Sequence, residues 1–489
     1  MLTVACARNR TEPVIREMVA EVAVIGSGPG GAVTAMLCAE AGKSVLLVEE
    51  GQNLPLHWPE HFSRDEILHK YRNAGVNVAL GSTQIAYVEG CCVGGGSEVN
   101  RGLYYRTPSY VLDAWRKDFD VRYLSSDELM PHFTECEAIA RVEYLPCEAS
   151  AISKRLYEGA MNLGWHAIEA PRLYSYGGRG GSKQSMSETF VPRFLKAGGR
   201  LIADTAVRRL SRQEGKWRLD AIHTPTHGPS QTVEISADKV FVACGAVQTP
   251  ALLRRSGLRK NIGNSLRFHP MLKVVAEFDY EVNDPGDFDP VHQIKEFEPH
   301  FGMGCSISKQ PMLALTMAGR PDCLAYVEHR WRRMGIYYVQ TTGGCATIRN
   351  LPFFRDPLVR VRHSEWDLHH YAEGLKRLSE ALLAAGAIAI YPAAPEYPVL
   401  RSMADLRKLP ENLPNGSGNL TSVHVFSSCP MGENEALCAT DSFGRVREAD
   451  GLYIADASLL CGPTIVNPQG TVMAVAHRNA THAIENRFA

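Results

Sequence analysis

The sequence predicts an α/β fold that combines a parallel nucleotide-binding sheet with a second, α+β domain containing an antiparallel sheet. Two observations support this prediction. Apolar runs at residues 22–25 and 45–48 enclose a glycine-rich turn and a helical pattern, which is typical of a βαβ unit. Later in the chain, residues 271–283 and 335–348 are rich in β-branched and aromatic side chains, which favour strands.

The βαβ unit is the first predicted element. The strand at 22–25 ends at Gly26, apolar residues at positions 33–41 then recur at helical spacing, and Gly42 follows where a helix would end. The second strand, at 45–48, closes the unit within about thirty residues, the usual size of this motif. Two further strands are predicted beside glycine-bearing or proline-bearing turns, at residues 239–243 and 451–455. The nucleotide-binding sheet is therefore predicted to form from distant parts of the chain.

The turn of the βαβ unit has the spacing of a dinucleotide-binding loop. Gly26 allows the tight turn, Gly28 admits a pyrophosphate to the backbone, and Gly31 lets the helix pack closely on the strand. Glu49 ends the next strand, where its carboxylate can accept hydrogen bonds from a ribose diol and disfavours a 2'-phosphate. This Rossmann-like loop predicts an ADP-containing cofactor without separating FAD from NAD.

The middle of the chain is predicted to cover the second sheet with helices. Residues 364–385 place apolar side chains at helical spacing. The most apolar late stretch, residues 381–394, is too short to cross a bilayer and contains Gly386 and Pro392. We therefore expect no integral membrane span.

Composition narrows the class of partner and the compartment. Lys and Arg number 52 against 53 Asp and Glu, so no strong field attracts nucleic acid, and a small-molecule substrate is expected. Thirteen cysteines lack paired ligand spacing, which argues against a disulfide framework and a zinc site, and no metal is expected. The first twenty residues carry charges but no apolar core of a signal sequence. These features predict a cytoplasmic protein.

Five separated motifs, from about residue 22 to residue 483, resemble the glucose-methanol-choline (GMC) oxidoreductase family. The first is the dinucleotide loop described above. The other four are the glycine-rich segment 90–100, the segment 245–257 with its GAxxTP start, the HVFSSCPMG segment at 424–432, and the pair formed by GLYIADAS at 451–458 with the NPxxT turn at 467–471. Their order along the chain is that of the family, although Arg259 replaces a usual glycine. The glycine triplet and the FSSCPMG wording are nearer the sterol and long-chain alcohol oxidase side of the family.

The resemblance implies FAD as the cofactor and a set of residues that contact it. Beyond the four already named from the loop, the implied contacts are Gly94, Gly95, Ser97, Asn100, Val207, Ala246, Asp456, Ala457 and Pro468. Val99 stands where some members carry a histidine bonded covalently to FAD, so non-covalent binding is expected. The implied FAD-binding domain is discontinuous. It comprises residues 20–60, 80–110, 185–275 and 415–489, and the substrate-binding domain comprises 61–79, 111–184 and 276–414.

The implied catalytic residues are His424 and Asn467. A neutral imidazole at His424 can accept the hydroxyl proton of an alcohol while the adjacent carbon gives hydride to flavin N5. The Asn467 amide would bind the substrate oxygen, where other members use a second histidine. Asn467 directly before Pro468 also has the pattern of a helix N-cap, and both roles can coexist.

The predicted function is oxidation of an alcohol to an aldehyde or ketone, by an oxidase or a dehydrogenase. Dioxygen or another acceptor would reoxidise the flavin. The alternative is a non-redox use of the same FAD fold, as in the lyase and photodecarboxylase members of the family. The identity of the substrate stays open at this point.

Overall fold

The computed structural model describes residues 15–177, 181–394 and 396–488. Most of the segment on which the signal-sequence prediction rests lies outside these residues. The strands are β1 Ile15–Ile25, β2 Val45–Val48, β3 Asn77–Ala79, β4 Ile85–Tyr87, β5 Val142–Glu143, β6 Ala167–Glu169, β7 Arg172–Ser175, β8 Ser182–Lys183, β9 Arg200–Ile202, β10 Thr205–Gln213, β11 Lys216–His223, β12 Gln231–Val242, β13 Leu266–Phe268, β14 Met271–Glu277, β15 His292–Ile294, β16 Phe301–Cys305, β17 Met334–Thr341, β18 Cys345–Arg349, β19 Leu358–Arg362, β20 Ala389–Pro392, β21 Leu420–Ser422, β22 Val425–Phe426 and β23 Leu452–Ile454.

The helices are α1 Pro29–Glu40, α2 Arg64–Lys70, α3 Gly96–Val99, α4 Ser109–Phe119, α5 Ser126–Ala140, α6 Ala151–Asn162, α7 Phe190–Lys196, α8 Gly245–Arg255, α9 Gln310–Thr316, α10 Pro321–Arg330, α11 Glu365–Ala384 and α12 Gln469–Glu485. In the described part of the chain, no helix combines the length and the apolar character needed to cross a membrane.

A seven-stranded sheet forms the nucleotide-binding part, in the order β10-β11-β12-β1-β2-β9, with β23 paired to β12. The pairs β12–β1, β1–β2, β2–β9 and β12–β23 are parallel, whereas β10, β11 and β12 form an antiparallel edge. Helices α1 and α12 pack against each other beside this sheet. The predicted assembly of the sheet from distant segments is therefore confirmed.

The glycine turn after β1 follows from steric limits. Gly26 has a φ of +100°, and a Cβ at this position would lie 2.2 Å from the carbonyl oxygen of Ala243. A Cβ on Gly31 would lie 1.9 Å from the carbonyl oxygen of Gly26. Only glycine therefore lets α1 begin this close to β1 and β12.

A nine-stranded sheet forms the second part, in the order β3-β4-β21-β14-β17-β16-β15-β6, with β20 paired to β14. Apart from the parallel β21–β4 pair, its neighbours are antiparallel. Helix α11 packs on β17 and begins with a capping box, in which Ser364 and Asp367 exchange hydrogen bonds. The predicted α+β part with an antiparallel sheet is confirmed.

Two strands belong to a different sheet from the one that the predicted domain ranges imply. Strands β4 and β21 lie within ranges predicted for the FAD-binding domain, yet both pair within the nine-stranded sheet. The chain therefore crosses between the sheets next to the segments that carry the motifs. The domain boundaries stay a prediction.

Candidate active site

A cavity of about 400 Å³ is lined by residues of both sheets. Its nucleotide side includes Ile25 and Val48, at the ends of parallel strands β1 and β2. Its opposite side includes Met271 from β14 and Tyr338 from β17. A ligand pocket at the carboxyl ends of parallel strands is the usual arrangement in open α/β sheets.

Two glycine loops face each other across one end of the cavity. The Cα atoms of Gly28 and Gly95 lie so close that a Cβ on Gly95 would come within 2.8 Å of the Gly28 Cα. A Cβ on Gly28 would meet nothing nearer than 4.0 Å, so open space adjoins the start of α1. A long α-helix that starts at such a space presents free N–H groups and a partial positive charge to an anion.

Glu49 is held in place by hydrogen bonds from Ser27 and Gly51. Its carboxylate accepts hydrogen bonds from Ser27 N at 2.9 Å, from Ser27 Oγ at 2.7 Å and from Gly51 N at 2.9 Å. Burial raises the pKa of Glu49, while the hydrogen bonds from Ser27 and Gly51 lower it. Glu49 lines the cavity, so the carboxylate is oriented before any ligand binds.

Three of the predicted cofactor contacts do not line the cavity: Gly31, Gly94 and Ser97. Gly94 N donates to Ser27 Oγ at 3.0 Å, and Ser97 Oγ donates to the Gly94 carbonyl at 2.7 Å while accepting from Met186 N. These contacts tie the second glycine loop to the first. In this structure Gly94 and Ser97 shape the loops that border the cavity, and Gly31 packs α1 on β1.

Asp456 is fixed in the same manner as Glu49. Its carboxylate accepts from Gly245 N at 2.9 Å and Ser458 N at 2.8 Å, and also from Thr249 Oγ1. It lines the cavity at the start of α8, and burial raises the pKa of its carboxyl group. Asp456 is therefore a buried, hydrogen-bonded acid two residues after β23.

The remaining predicted contacts all line the cavity: Asn100, Val207, Ala246, Ala457 and Pro468, together with Gly26, Gly28 and Gly95. The Asn100 amide donates to Gln469 Oε1, which joins the second glycine loop to the start of α12. Val99 lines the cavity as well. The motifs that are far apart in the sequence thus meet at one site.

His424 and Asn467 also meet in the cavity wall. Asn467 Nδ2 lies 3.3 Å from His424 Nε2, and His269 Nδ1 lies 3.0 Å from His424 Nδ1. With the amide donating to Nε2, that nitrogen carries the lone pair of the imidazole, and Nδ1 carries the proton that is donated to His269. His269 is fully buried, and its contact with Nδ1 holds the His424 ring in this orientation.

The protein interior keeps both imidazoles neutral. Burial lowers the pKa of His424 to about 3, and it lowers the pKa of His269 well below its ordinary value. His424 therefore stays unprotonated at neutral pH, as a proton acceptor requires.

The predicted helix cap at Asn467 is wrong. The structure begins α12 at Gln469 and places Pro468 at the N-cap, where the Pro468 carbonyl accepts from Val472 N at 2.9 Å. Asn467 lies one residue earlier and points its amide at His424. The Asn-Pro pattern predicted the start of the helix but displaced it by one residue, because the asparagine side chain has a histidine partner instead.

Sequence reasoning assigned no role to five residues of the site. His269 contacts His424 from outside the cavity lining, and the wall opposite the glycine loops contains Met271, Lys273, Tyr338 and Gln340. The available signal was Lys273, which is a single charge inside the otherwise apolar strand segment 271–276. A charge there costs free energy unless it serves a ligand or a partner.

The residues present fit FAD. The cavity offers open space at two facing glycine loops, where phosphates could bind, and the prepositioned carboxylate of Glu49 could accept hydrogen bonds from a ribose. In the described residues, no group of three or more His, Cys, Asp or Glu side chains could hold a metal ion.

Comparisons with known proteins agree with this arrangement. The N-terminal and C-terminal family models of GMC oxidoreductases match residues 30–271 and 354–476. An uncharacterised GMC-type oxidoreductase of Sinorhizobium fredii is 34% identical over 96% of this chain and 95% of its own length. A long-chain-alcohol oxidase of Arabidopsis thaliana is 25% identical over 94% of this chain and 66% of its own length. A formate oxidase structure from Aspergillus oryzae, in which FAD modification was studied, has a TM-score of 0.74 at 15% identity, covering 96% of this chain and 99% of that one.

Proposed function

The chain belongs to the GMC family of oxidoreductases, and we propose that it oxidises an alcohol to an aldehyde or ketone with FAD. The observation that carries the proposal is the neutral His424, whose Nε2 lies beside the Asn467 amide in the cavity wall. Alcohol oxidation needs a proton acceptor and a polar group that fixes the oxygen, and these two side chains supply both.

FAD would supply the hydride acceptor, with N5 receiving the hydride from the carbinol carbon. The chain's own residues handle the proton. His424 Nε2 accepts the hydroxyl proton, which leaves a positive imidazolium hydrogen-bonded through Nδ1 to His269. His269 accepts that hydrogen bond and holds the imidazole plane, so Nε2 faces the cavity before and after it takes the proton.

Asn467 and the start of α12 would stabilise negative charge. The Asn467 amide donates to the substrate oxygen as its proton leaves, in place of the 3.3 Å contact to His424. Pro468 and Gln469 line the cavity at the N-terminus of the seventeen-residue helix α12. The positive end of a helix stabilises negative charge that develops within about one turn of it.

FAD binding in this site is proposed to be non-covalent. Val99 occupies the end of α3 at the cavity wall, and a valine side chain offers no atom for a covalent bond. Acid precipitation of the holoprotein should release the flavin into the supernatant. Flavin that stays in the pellet after acid and protease treatment would contradict this part of the proposal.

An anaerobic panel of alcohols tests the reaction class. The holoprotein is mixed under argon with primary, secondary and carboxylate-bearing alcohols, and the flavin absorbance is followed. Bleaching by at least one class supports alcohol oxidation, and subsequent exposure to air shows whether dioxygen restores the oxidised spectrum. An unbleached flavin across the whole panel would favour the non-redox use of the fold instead.

A further inference from the structure

The cavity wall opposite the glycine loops carries a cation without a partner. Lys273 lines the cavity from β14, and its Nζ makes no hydrogen bond or ion pair with any residue in the ranges 15–177, 181–394 and 396–488. Removal from bulk water lowers the pKa of Lys273. An unpaired ammonium in a partly dry cavity is destabilising, which makes it a strong site for an anionic ligand.

The other cavity cations differ from Lys273 in their surroundings. Arg101 and Arg172 both pair with Asp289, at 2.5 and 3.0 Å. Arg72 and Arg355 pair with Glu50. Arg208 and Arg255 have no carboxylate within ion-pair distance in the described residues, but they lie on β10 and α8, on the nucleotide side of the cavity. Lys273 is therefore the unpaired cation on the wall of the antiparallel sheet.

Strand geometry places Met271 between Lys273 and the segment that carries His424. Met271 pairs with Thr421, three residues before His424, and it lines the cavity on the same strand. Lys273 follows Met271 by two residues and points to the same face, about 7 Å further along the strand. Met271 thus provides an apolar surface between the proton acceptor and the cation.

Neighbouring side chains on this wall are already engaged. Tyr338, which pairs with Lys273 across β14 and β17, accepts a hydrogen bond from Gln293 at 3.2 Å. Gln340 donates to the Ile465 carbonyl at 3.3 Å. The phosphates of FAD would bind at the opposing glycine loops, so they would not pair with the Lys273 ammonium.

We propose that Lys273 binds an anionic group of the substrate, so that the enzyme acts on alcohols carrying a carboxylate several carbon atoms from the hydroxyl. This inference rests on the proposed function for the role of His424. Met271 would contact the carbon chain, and the charged end would replace water at Lys273. Neutral alcohols of the same length would bind more weakly, because they leave the ammonium unpaired.

Binding of a dead-end ligand tests the inference without turnover. The holoprotein is titrated with hexanoate and with hexanamide, and the perturbation of the flavin spectrum gives each Kd. We expect hexanoate to bind at least about tenfold more tightly than hexanamide, since the two differ chiefly in charge. The preference should disappear as the pH rises through the lowered pKa of Lys273, where the ammonium becomes neutral while the carboxylate stays ionised.

Matched variants assign the effect to this lysine. Lys273→Met keeps the length of the side chain and should remove the preference for hexanoate, while Lys273→Arg should retain most of it. Lys216→Met removes the same charge from the surface and should leave both Kd values unchanged. Melting temperatures and FAD content of the variants confirm that each one is folded and loaded.

The outcomes separate this inference from the proposed function. Equal binding of hexanoate and hexanamide, or a preference that persists in Lys273→Met, would overturn the anion site even if neutral alcohols bleach the flavin. If no alcohol bleaches the flavin but the preference depends on Lys273, the anion site stands and alcohol oxidation fails.

Discussion

The cavity has a nucleotide wall, which includes the glycine loops with Glu49 and Asp456, and a catalytic wall, which includes His424, Asn467 and Lys273. The two walls differ in how many hydrogen-bond partners the protein supplies to their polar groups. On the nucleotide wall, Glu49 and Asp456 each accept three hydrogen bonds from the protein itself. On the opposite side, His424 Nε2 has only the Asn467 amide nearby, and Lys273 Nζ has no partner within the described ranges. The two carboxylates of the nucleotide wall are engaged before a ligand binds, whereas His424 and Lys273 present groups that a substrate would satisfy.

This difference has a physical origin. A cofactor that remains bound can be held by a rigid frame of backbone N–H groups and prepositioned carboxylates. A substrate must bind and leave, and its reacting atoms must find a free lone pair and free donors. Substitutions on the catalytic wall should therefore slow flavin reduction, whereas substitutions on the nucleotide wall should weaken FAD binding.

The largest expected effect is on the catalytic wall. His424→Ala should reduce its flavin at least about a hundredfold more slowly with substrate, since it lacks the proton acceptor. FAD content and melting temperature should stay close to the parental values, because His424 lies at the cavity wall. Rapid-mixing absorbance under argon measures the rate. His363→Ala, which removes a histidine bonded to Tyr371 and Thr83 outside the cavity, is the control and should reduce at the parental rate.

The next effect concerns the nucleotide wall. Glu49→Ala should weaken FAD binding by about 1.5–3 kcal/mol, because it removes the ribose acceptor and leaves the Ser27 and Gly51 N–H groups without their partner. Fluorescence titration of the apoprotein with FAD gives the Kd. Glu50→Gln is the matched control, since the Glu50 carboxylate pairs with Arg72 and Arg355 instead. If Glu50→Gln loses FAD and Glu49→Ala does not, the ribose contact has been assigned to the wrong carboxylate.

Acid should destabilise the folded protein, because His424 stays neutral in the folded state and binds a proton in the unfolded state. Below pH 6.5 an unfolded histidine binds a proton, while folded His424 with its pKa of about 3 does not. The unfolded state then binds more protons, so the free energy of unfolding falls as pH falls, by about 1.4 kcal/mol per pH unit for this residue. Urea unfolding of the parent and of His424→Gln between pH 4.5 and 7.5 measures the difference in slope, in which the carboxylates common to both proteins cancel. Parallel slopes would contradict a buried neutral His424.

Asn467→Ala should have a smaller kinetic effect than His424→Ala. Loss of one hydrogen bond to the substrate oxygen should slow flavin reduction about tenfold. The melting temperature should change little, because Pro468 and not Asn467 occupies the N-cap of α12. Thermal melts and rapid mixing on the same preparation test both statements. A large loss of stability with unchanged reduction would return Asn467 to a purely structural role.

The sequence predicted the nucleotide wall better than the catalytic wall. Gly26, Gly28 and Glu49 occupy fixed spacings because the βαβ turn is local, so the pattern is visible within about thirty residues. His269 meets His424, and Lys273 lines the same cavity, only when β13 and β14 pair with β22 and β21, and strand pairing between distant segments leaves no spacing in the sequence. The cap at Asn467 was displaced for a similar reason, since its partner His424 lies 43 residues away.

The contacts of two motif residues, Gly94 and Ser97, also depend on packing between distant loops. Ser97 and Gly94 are predicted cofactor contacts, and in the structure Ser97 Oγ accepts from Met186 N while Gly94 N donates to Ser27 Oγ. Their contact with FAD stays a prediction. A motif marks which positions are constrained without showing whether the constraint comes from the ligand or from the neighbouring loop.

Anaerobic mixing of the parental holoprotein and His424→Ala, with the alcohol that bleaches the parental flavin fastest, shows whether His424 takes the proton. We expect the parental flavin to be reduced without dioxygen and the variant, equally loaded with FAD, to be reduced at least about a hundredfold more slowly between pH 5 and pH 8. Reduction of both flavins at the same rate across that range would contradict His424 as the proton acceptor.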